Sequence, residues 1–342
     1  MTITKDHKVP YIKTPLVDCK ELSEQSPCRI FLKQEFIQPS GSYKIRGLSN
    51  LIRTSIEEIK SNPNNLGKTI HVYAASGGNA GNAVSCASQF YGLESTVVIP
   101  KATSDKMKQK IFKNGSKIIV QGETIGEAAI YLKDVLIPSL DDSIIPIYCH
   151  PYDIPAIWHG HSSIIDEIVD QLASSNELSK LKGIVCSIGG GGLYNGLVQG
   201  LQRNQLSKIP IMTLETDTCP TFHESIKAQK QVFIKKTNTI AISLACPYVS
   251  LKTLEYYNSH KTKNLLVSDS DAANSCLNFA NEFNIIVEPA CGVALCSVYN
   301  NLIQKNIEFF DDLKSDDIVV IIVCGGSSTT VQDLTNYKLL YH

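Results

Sequence analysis

From about Thr69 onward, apolar residues gather in short β-branched runs. Each run is closed by a Gly, Ser or Pro break and followed by a stretch of helical periodicity. IHVYAAS leads to a predicted helix near Asn79 to Phe90, STVVIP to one near Ser104 to Lys113, and SKIIVQG to one near Ile125 to Val135. The phrase resumes at IIPIYCH, KGIVCSI, IPIMTLE, IIVEP and DDIVVIIVCGG, read as further strands, most with a helix behind them. Strands alternating with helices predict an α/β class with doubly wound, mostly parallel sheets, because parallel neighbours need crossover segments. The runs are apolar at successive positions, as strands covered on both faces should be.

SNPNNLG (Ser61 to Gly67) and HPYDIP (His150 to Pro155) read as loops. They suggest a small domain over residues 46–149 and a large domain formed by residues 1–45 and 150–342. No internal repeat, low-complexity tract or long charge run interrupts this pattern.

A chain of 342 residues with 43% hydrophobic content can fill two cores. Lys and Arg total 32 against 33 for Asp and Glu, so the net charge of -1 offers no field to steer a polyanion or to dock on anionic lipid. Nucleic acid and membrane partners are excluded on that ground. The start, MTITKDHKVPYIKTP, has no continuous apolar segment of the signal-peptide kind, and no run reaches the roughly 20 residues of a bilayer span. A cytoplasmic location is expected. Eleven cysteines without a CxxC pair read as reduced thiols packed as small hydrophobes, and eight histidines without HExxH spacing give no zinc site.

Four segments carry candidate chemistry: QPSGSYKIRG (Gln38 to Gly47), ASGGNAGNA (Ala75 to Ala83), SIGGGGLYNG (Ser187 to Gly196) and CGGSSTT (Cys324 to Thr330). Three of them lie where a strand ends and a helix begins, and ligands of doubly wound sheets bind beyond the carboxyl ends of strands. Gly189, Gly190, Gly191 and Gly192 would present bare amides at a helix N-terminus, a cradle for a phosphate; the bland alternative is a turn without a ligand. The run fits neither GxGxxG nor GxxxxGK[ST], so NAD and ATP are weak candidates. In SGGNAG the Ser76 hydroxyl, the amides of Gly77 to Ala80 and the Asn79 carboxamide could clamp a carboxylate, or Ser76 or Asn79 could simply cap the helix. Lys44 alone would be solvated surface, but the turn Ser40-Gly41-Ser42 presents it with Tyr43, and an aromatic ring beside an amine suits a flat cofactor whose aldehyde the amine captures. Taken singly, Cys324 is a packing residue and Glu288 a helix-start acid.

Together, in this order, KTPL (Lys13 to Leu16), PSGSYK, SGGNAG, GGGGL, VEPACG and CGGS resemble the fold-type II pyridoxal-phosphate enzymes, and most of all their eukaryotic catabolic L-serine/L-threonine dehydratases. The likeness spans nearly the whole chain. It implies the tryptophan synthase β-like fold, with the cofactor in the cleft between domains. By this resemblance Lys44 binds pyridoxal phosphate and later acts as the base at the substrate's α-carbon, while Tyr43, where the family usually has Phe, packs on the pyridine ring. Ser76, Gly77, Gly78, Asn79 and Ala80 take the carboxylate of an amino-acid substrate, with Asn79 also near the cofactor's phenolic oxygen. Gly189 to Leu193 match the phosphate loop, and Cys324 the residue facing the pyridine nitrogen. A neutral thiol there makes a shallower electron sink than a carboxylate would, which favours prompt loss of a β-leaving group. Serine racemases place a second serine where Gly77 stands, so elimination with little racemisation is expected. Relatives bind a monovalent cation such as potassium with an acid at the position of Glu215. Cys219-Pro220 and Ala245-Cys246-Pro247 depart from the family's small turns there, as do Ala75, where Ser is common, and His159, where Glu is common. The resemblance further implies a homodimer, and the short stretch after the last predicted helix implies no C-terminal regulatory domain. A racemase or β-replacement enzyme of the same fold, and an idle cofactor-binding relative, are the alternatives.

Overall fold

The computed structural model describes residues 8–235 and 237–341. Its strands are β1 (Leu16–Cys19), β2 (Arg29–Gln34), β3 (Thr69–Ala75), β4 (Glu94–Ile99), β5 (Lys117–Val120), β6 (Ile144–Cys149), β7 (Leu181–Ser187), β8 (Ile211–Thr216), β9 (Thr262–Val267) and β10 (Ile318–Val323). They divide between two compact units. One holds the stretch up to Lys13 with Gln38–Ser40 and Lys44–Pro151, and the other holds Thr14–Ile37, Gly41–Tyr43 and the chain from Tyr152.

In the first unit β5-β4-β3-β6 form a sheet whose pairs are all parallel. The helix Asn79–Phe90 buries Ala80, Ala83, Val84 and Ala87. These side chains are short, so it packs closely against the helix Lys44–Ser61. The latter is pinned by the buried Arg46, whose guanidinium donates to the Ile12 carbonyl at 3.3 Å and lies over the Tyr11 ring. That anchor draws the arm before Lys13 onto this unit. The helix predicted over residues 125–135 begins as an α-helix, Ile125–Ile130, and widens to a π-helical turn over Tyr131–Leu136.

In the second unit the order is β1-β2-β10-β7-β8-β9, parallel except for the edge pair β1 and β2. β10, IVVIIV, is buried at every position, as a central doubly covered strand must be. Sequence reading missed β1, β2 and β9, whose polar residues break the apolar pattern. Lys33 in β2 is fully buried, and its charge is met by Glu167 at 2.7 Å and by the Thr14 carbonyl at 2.8 Å. IIVEP is not a strand. Ile285 to Glu288 link the helix Asp269–Phe283 to the helix Pro289–Tyr299, which Pro289 itself opens, with the Glu288 N–H given to the Gly325 carbonyl at 3.2 Å. All eleven cysteines are free thiols, most of them buried. Among the described residues no helix is long and apolar enough to cross a membrane.

Candidate active site

The segment Gly41–Tyr43 is fixed to the end of β10. Gly41 has φ +76°, and a Cβ there would come within 2.5 Å of the Ser327 Cβ, so both backbone and packing require glycine. Its carbonyl accepts from the Gly326 N–H at 3.2 Å, Ser42 bridges Gly325, and the Tyr43 N–H donates to the Cys324 carbonyl at 3.0 Å. The Tyr43 ring meets His161 edge-on at 4.8 Å, and burial holds its phenol well above the ordinary tyrosine range, hence protonated. Cys324 itself is buried, with the Ser187 hydroxyl 3.8 Å and the Cys291 thiol 3.5 Å from its sulfur.

The glycine run leaves β7 and opens the helix Gly192–Arg203, as the sequence predicts. Gly191 has φ +89°. Added Cβ atoms would strike Leu244 from Gly189, the Tyr152 ring from Gly190, Thr253 from Gly191 and the Tyr152 carbonyl from Gly192. Packing alone thus explains why all four are glycines. What the run offers a ligand is its amides: the first intrahelical bond is made by the Asn195 N–H to the Gly191 carbonyl at 2.8 Å, so Gly192, Leu193 and Tyr194 stand ahead of it with no intrahelical acceptor.

Glu215 lies at the end of β8, fully inside the protein. Its carboxylate accepts from the N–H groups of Phe222 at 2.9 Å and His223 at 2.6 Å, and from the Asn264 amide at 2.7 Å. It therefore holds the start of the helix Thr221–Ala228. Burial nevertheless pushes it up to about 7. Glu288 is the N-cap residue of the helix Pro289–Tyr299; its side chain makes no capping bond, and its carboxylate accepts from Ser328.

In the first unit Lys44 opens its helix and its Nζ donates to the Pro151 carbonyl at 2.8 Å. His150, which sequence reading missed inside a loop, is brought down to about 4 by burial and by the positive charges of Lys44 and Lys133. The SGGNAG loop joins β3 to the helix Asn79–Phe90. Neither Ser76 nor Asn79 caps that helix: the N-cap is Gly78, and its N–H donates to the Ser76 hydroxyl at 3.3 Å. The Asn82 amide ties the helix to the Ser40 carbonyl at 2.8 Å, four residues before Lys44.

A family model described as "Pyridoxal-phosphate dependent enzyme" matches residues 8–325. The chain belongs to that family. It is 44% identical over 329 residues to the catabolic L-serine/threonine dehydratase of Saccharomyces cerevisiae, covering 95% of this chain and 90% of that protein. It is 35% identical over 295 residues to the L-serine dehydratase/L-threonine deaminase of Bos taurus, covering 86% and 85%. Among solved structures, a fungal L-serine ammonia-lyase from Rhizomucor miehei superposes with a TM-score of 0.88 at 33% identity, covering 98% of this chain and 100% of that one. The fold is the family's fold-type II, with mostly parallel sheets.

The residues present fit the cofactor that defines this family. Helix-start amides beside Gly189–Gly192 suit a phosphate dianion. The Lys44 amine donates to a carbonyl, and a protonated Tyr43 ring adjoins it in sequence. Two side chains, Cys291 beside Cys324 and Thr103 beside Gly77, carried no signal in the linear sequence. Cys291 was one apolar-helix cysteine among several, and Thr103 a residue just beyond the carboxyl end of β4. Only the placement of β4 beside β3 could have marked Thr103.

Proposed function

We propose that the chain is an L-serine/L-threonine ammonia-lyase that binds pyridoxal phosphate through Lys44 and removes the side-chain hydroxyl, giving pyruvate or 2-oxobutyrate and ammonia. The observation that carries the assignment is the placement of Lys44. Its amine heads a helix directly after Tyr43, whose N–H is fixed to the Cys324 carbonyl.

Bound pyridoxal phosphate supplies the electron sink that loosens the proton on the substrate's α-carbon. Gly189 to Leu193 would hold its phosphate, and Tyr43 and Cys324 would hold its ring. The Ser76 hydroxyl has its acceptor side engaged by the Gly78 N–H, which leaves its own proton to donate to a carboxylate. With the amides of Gly77 to Ala80 and the Asn79 carboxamide it orients the α-carbon, and the Lys44 amine takes the proton there. His150, neutral down to about pH 4, adds no competing positive charge beside that amine. Gly77 carries no side chain to serve as a base on the opposite face, so D-serine should not form from L-serine.

A monovalent cation beside Glu215 belongs to the same reading, as do a cytoplasmic location and a homodimer. Apolar side chains left on the larger unit, such as Ile242 at 80% exposure, give a dimer something to cover. Lys44→Ala should lower turnover by about 10²- to 10⁴-fold or more, the range a positioned general base supplies. Borohydride reduction of the wild-type holoenzyme should fix the cofactor on the peptide containing Lys44. Full turnover by Lys44→Ala, or a label on another peptide, would refute the assignment.

A further inference from the structure

Thr103 lies four residues beyond β4, and β4 runs parallel beside β3, the strand that delivers the SGGNAG loop. A turn holds it there, its N–H donating to the Pro100 carbonyl at 3.1 Å. The residue is only 8% exposed, and its buried hydroxyl has no hydrogen-bond partner among the described residues. Leaving such a group unpaired costs about 1 to 3 kcal/mol, so a fold that keeps it invites an explanation by use.

The direction of the hydroxyl supplies one. A Cβ built on Gly77 would fall 2.1 Å from Thr103 Oγ1, nearer than to any other atom, so the hydroxyl is turned onto the loop where a residue-77 side chain would have stood. Around it the loop is already arranged to donate. The first intrahelical bond is made by the Asn82 N–H to the Gly78 carbonyl at 3.1 Å, so the amides of Ala80 and Gly81 precede it without an intrahelical acceptor. A Cβ on Gly78 would meet nothing within 4 Å, so the loop has open space beside it.

We propose that the Thr103 hydroxyl donates a hydrogen bond to the carboxylate of the α-amino-acid substrate, completing the donor set of the loop Ser76–Ala80. This rests on reading that loop as the carboxylate site. The bond exchanges an unpaired buried donor for a charge-assisted one, and it forms only when substrate arrives. Thr103 also occupies the volume of a side chain at position 77, so the turn after β4 supplies a donor that residue 77 lacks, beside the loop's own donors.

The test uses the holoenzyme and glycine, which has the amino and carboxylate groups but nothing to eliminate. Glycine affinity is read from the absorbance of the bound cofactor, beside kcat and KM for L-serine and the melting temperature without ligand. Thr103→Val keeps the shape and removes the donor. It should weaken glycine and lower kcat/KM by about 10- to 100-fold, the worth of a hydrogen bond to a charged group. Its melting temperature should stay level or rise, because an unpaired hydroxyl has gone, whereas a structural role would lower it. Thr103→Ser should restore glycine binding to within about threefold. Glycine affinity of Thr103→Val within about twofold of wild type would overturn the proposal. Should Thr103→Val fail to fold, Thr103→Ala and Thr103→Ser decide by the same comparison. Wild-type protein that binds no glycine would instead sink the reading of the loop itself.

Discussion

The sulfur of Cys291 lies 3.5 Å from that of Cys324, and Cys291 is bonded twice to the next residue along, accepting from the Gly325 N–H at 3.1 Å and donating to the Gly325 carbonyl at 2.8 Å. Cys291 sits in the first turn of the helix Pro289–Tyr299, so this pair ties that helix to the loop leaving β10. The loop in turn carries the carbonyl that receives the Tyr43 N–H. One thiol therefore steadies the residue assigned to the pyridine nitrogen and the backbone that precedes Lys44. Burial, followed by its bond to Cys324, holds the Cys291 thiol well above the ordinary range, so it stays protonated and can donate.

Cys291→Ala should therefore cost about 1 to 3 kcal/mol, the price of a buried N–H left without its acceptor. Cys291→Ser keeps a donor and an acceptor in the same place and should recover most of the loss. Urea unfolding of the three proteins checks this, and an unchanged midpoint for Cys291→Ala would count against it.

Sequence reading succeeded where one physical demand dominates. β10 reads as a strand because both faces are covered, and the junctions at Ser187 and Ala75 read correctly because a strand ends and helical periodicity starts there. It failed where tertiary partners change what a residue can do. β2 looks too polar for an inner strand until Glu167 is seen beside Lys33, a pairing across more than a hundred residues. IIVEP has strand composition but lies between two helices, and its polar backbone is met by the Gly325 loop. The glycine run was correctly placed, yet its length reflects Tyr152, Leu244 and Thr253 crowding against it, which no local pattern reveals. Thr103 and His150 stayed invisible for the same reason: a buried hydroxyl and a depressed imidazole are properties of surroundings.

Two glycines of the proposed site separate strain from access. At Gly191 a side chain would meet Thr253 Oγ1 at 1.9 Å, and φ of +89° costs an L-residue about 1 to 3 kcal/mol by itself. At Gly78 a Cβ would find nothing within 4 Å and φ is −129°, so alanine meets neither a clash nor a left-handed backbone. Gly191→Ala should weaken cofactor retention on dialysis by at least about tenfold and lower the melting temperature. Gly78→Ala should leave both near wild type and act, if at all, on the KM for L-serine. Comparable cofactor loss in the two variants would mean that the backbone at Gly191 is not what the phosphate needs.

Glu215 gives the protein a pH dependence of definite sign. Its ordinary value is 4.5, and burial pushes the folded-state value up to about 7 against the opposing bonds from Phe222, Asn264 and His223. Between those limits the native state keeps a proton that the unfolded chain has released, so stability should fall as pH rises through the window, by at most about 3 kcal/mol. Glu215→Gln has no proton to hold and should flatten that part of the curve, at the cost of one acceptor oxygen for the start of the helix Thr221–Ala228. A potassium ion beside the carboxylate would favour its ionised form, so replacing tetramethylammonium by potassium should reduce the loss above pH 7 in wild type and have no such effect in Glu215→Gln. Denaturant midpoints across pH 5 to 8 in the two salts provide the measurement, and equal curves for wild type in both would remove the cation from this position.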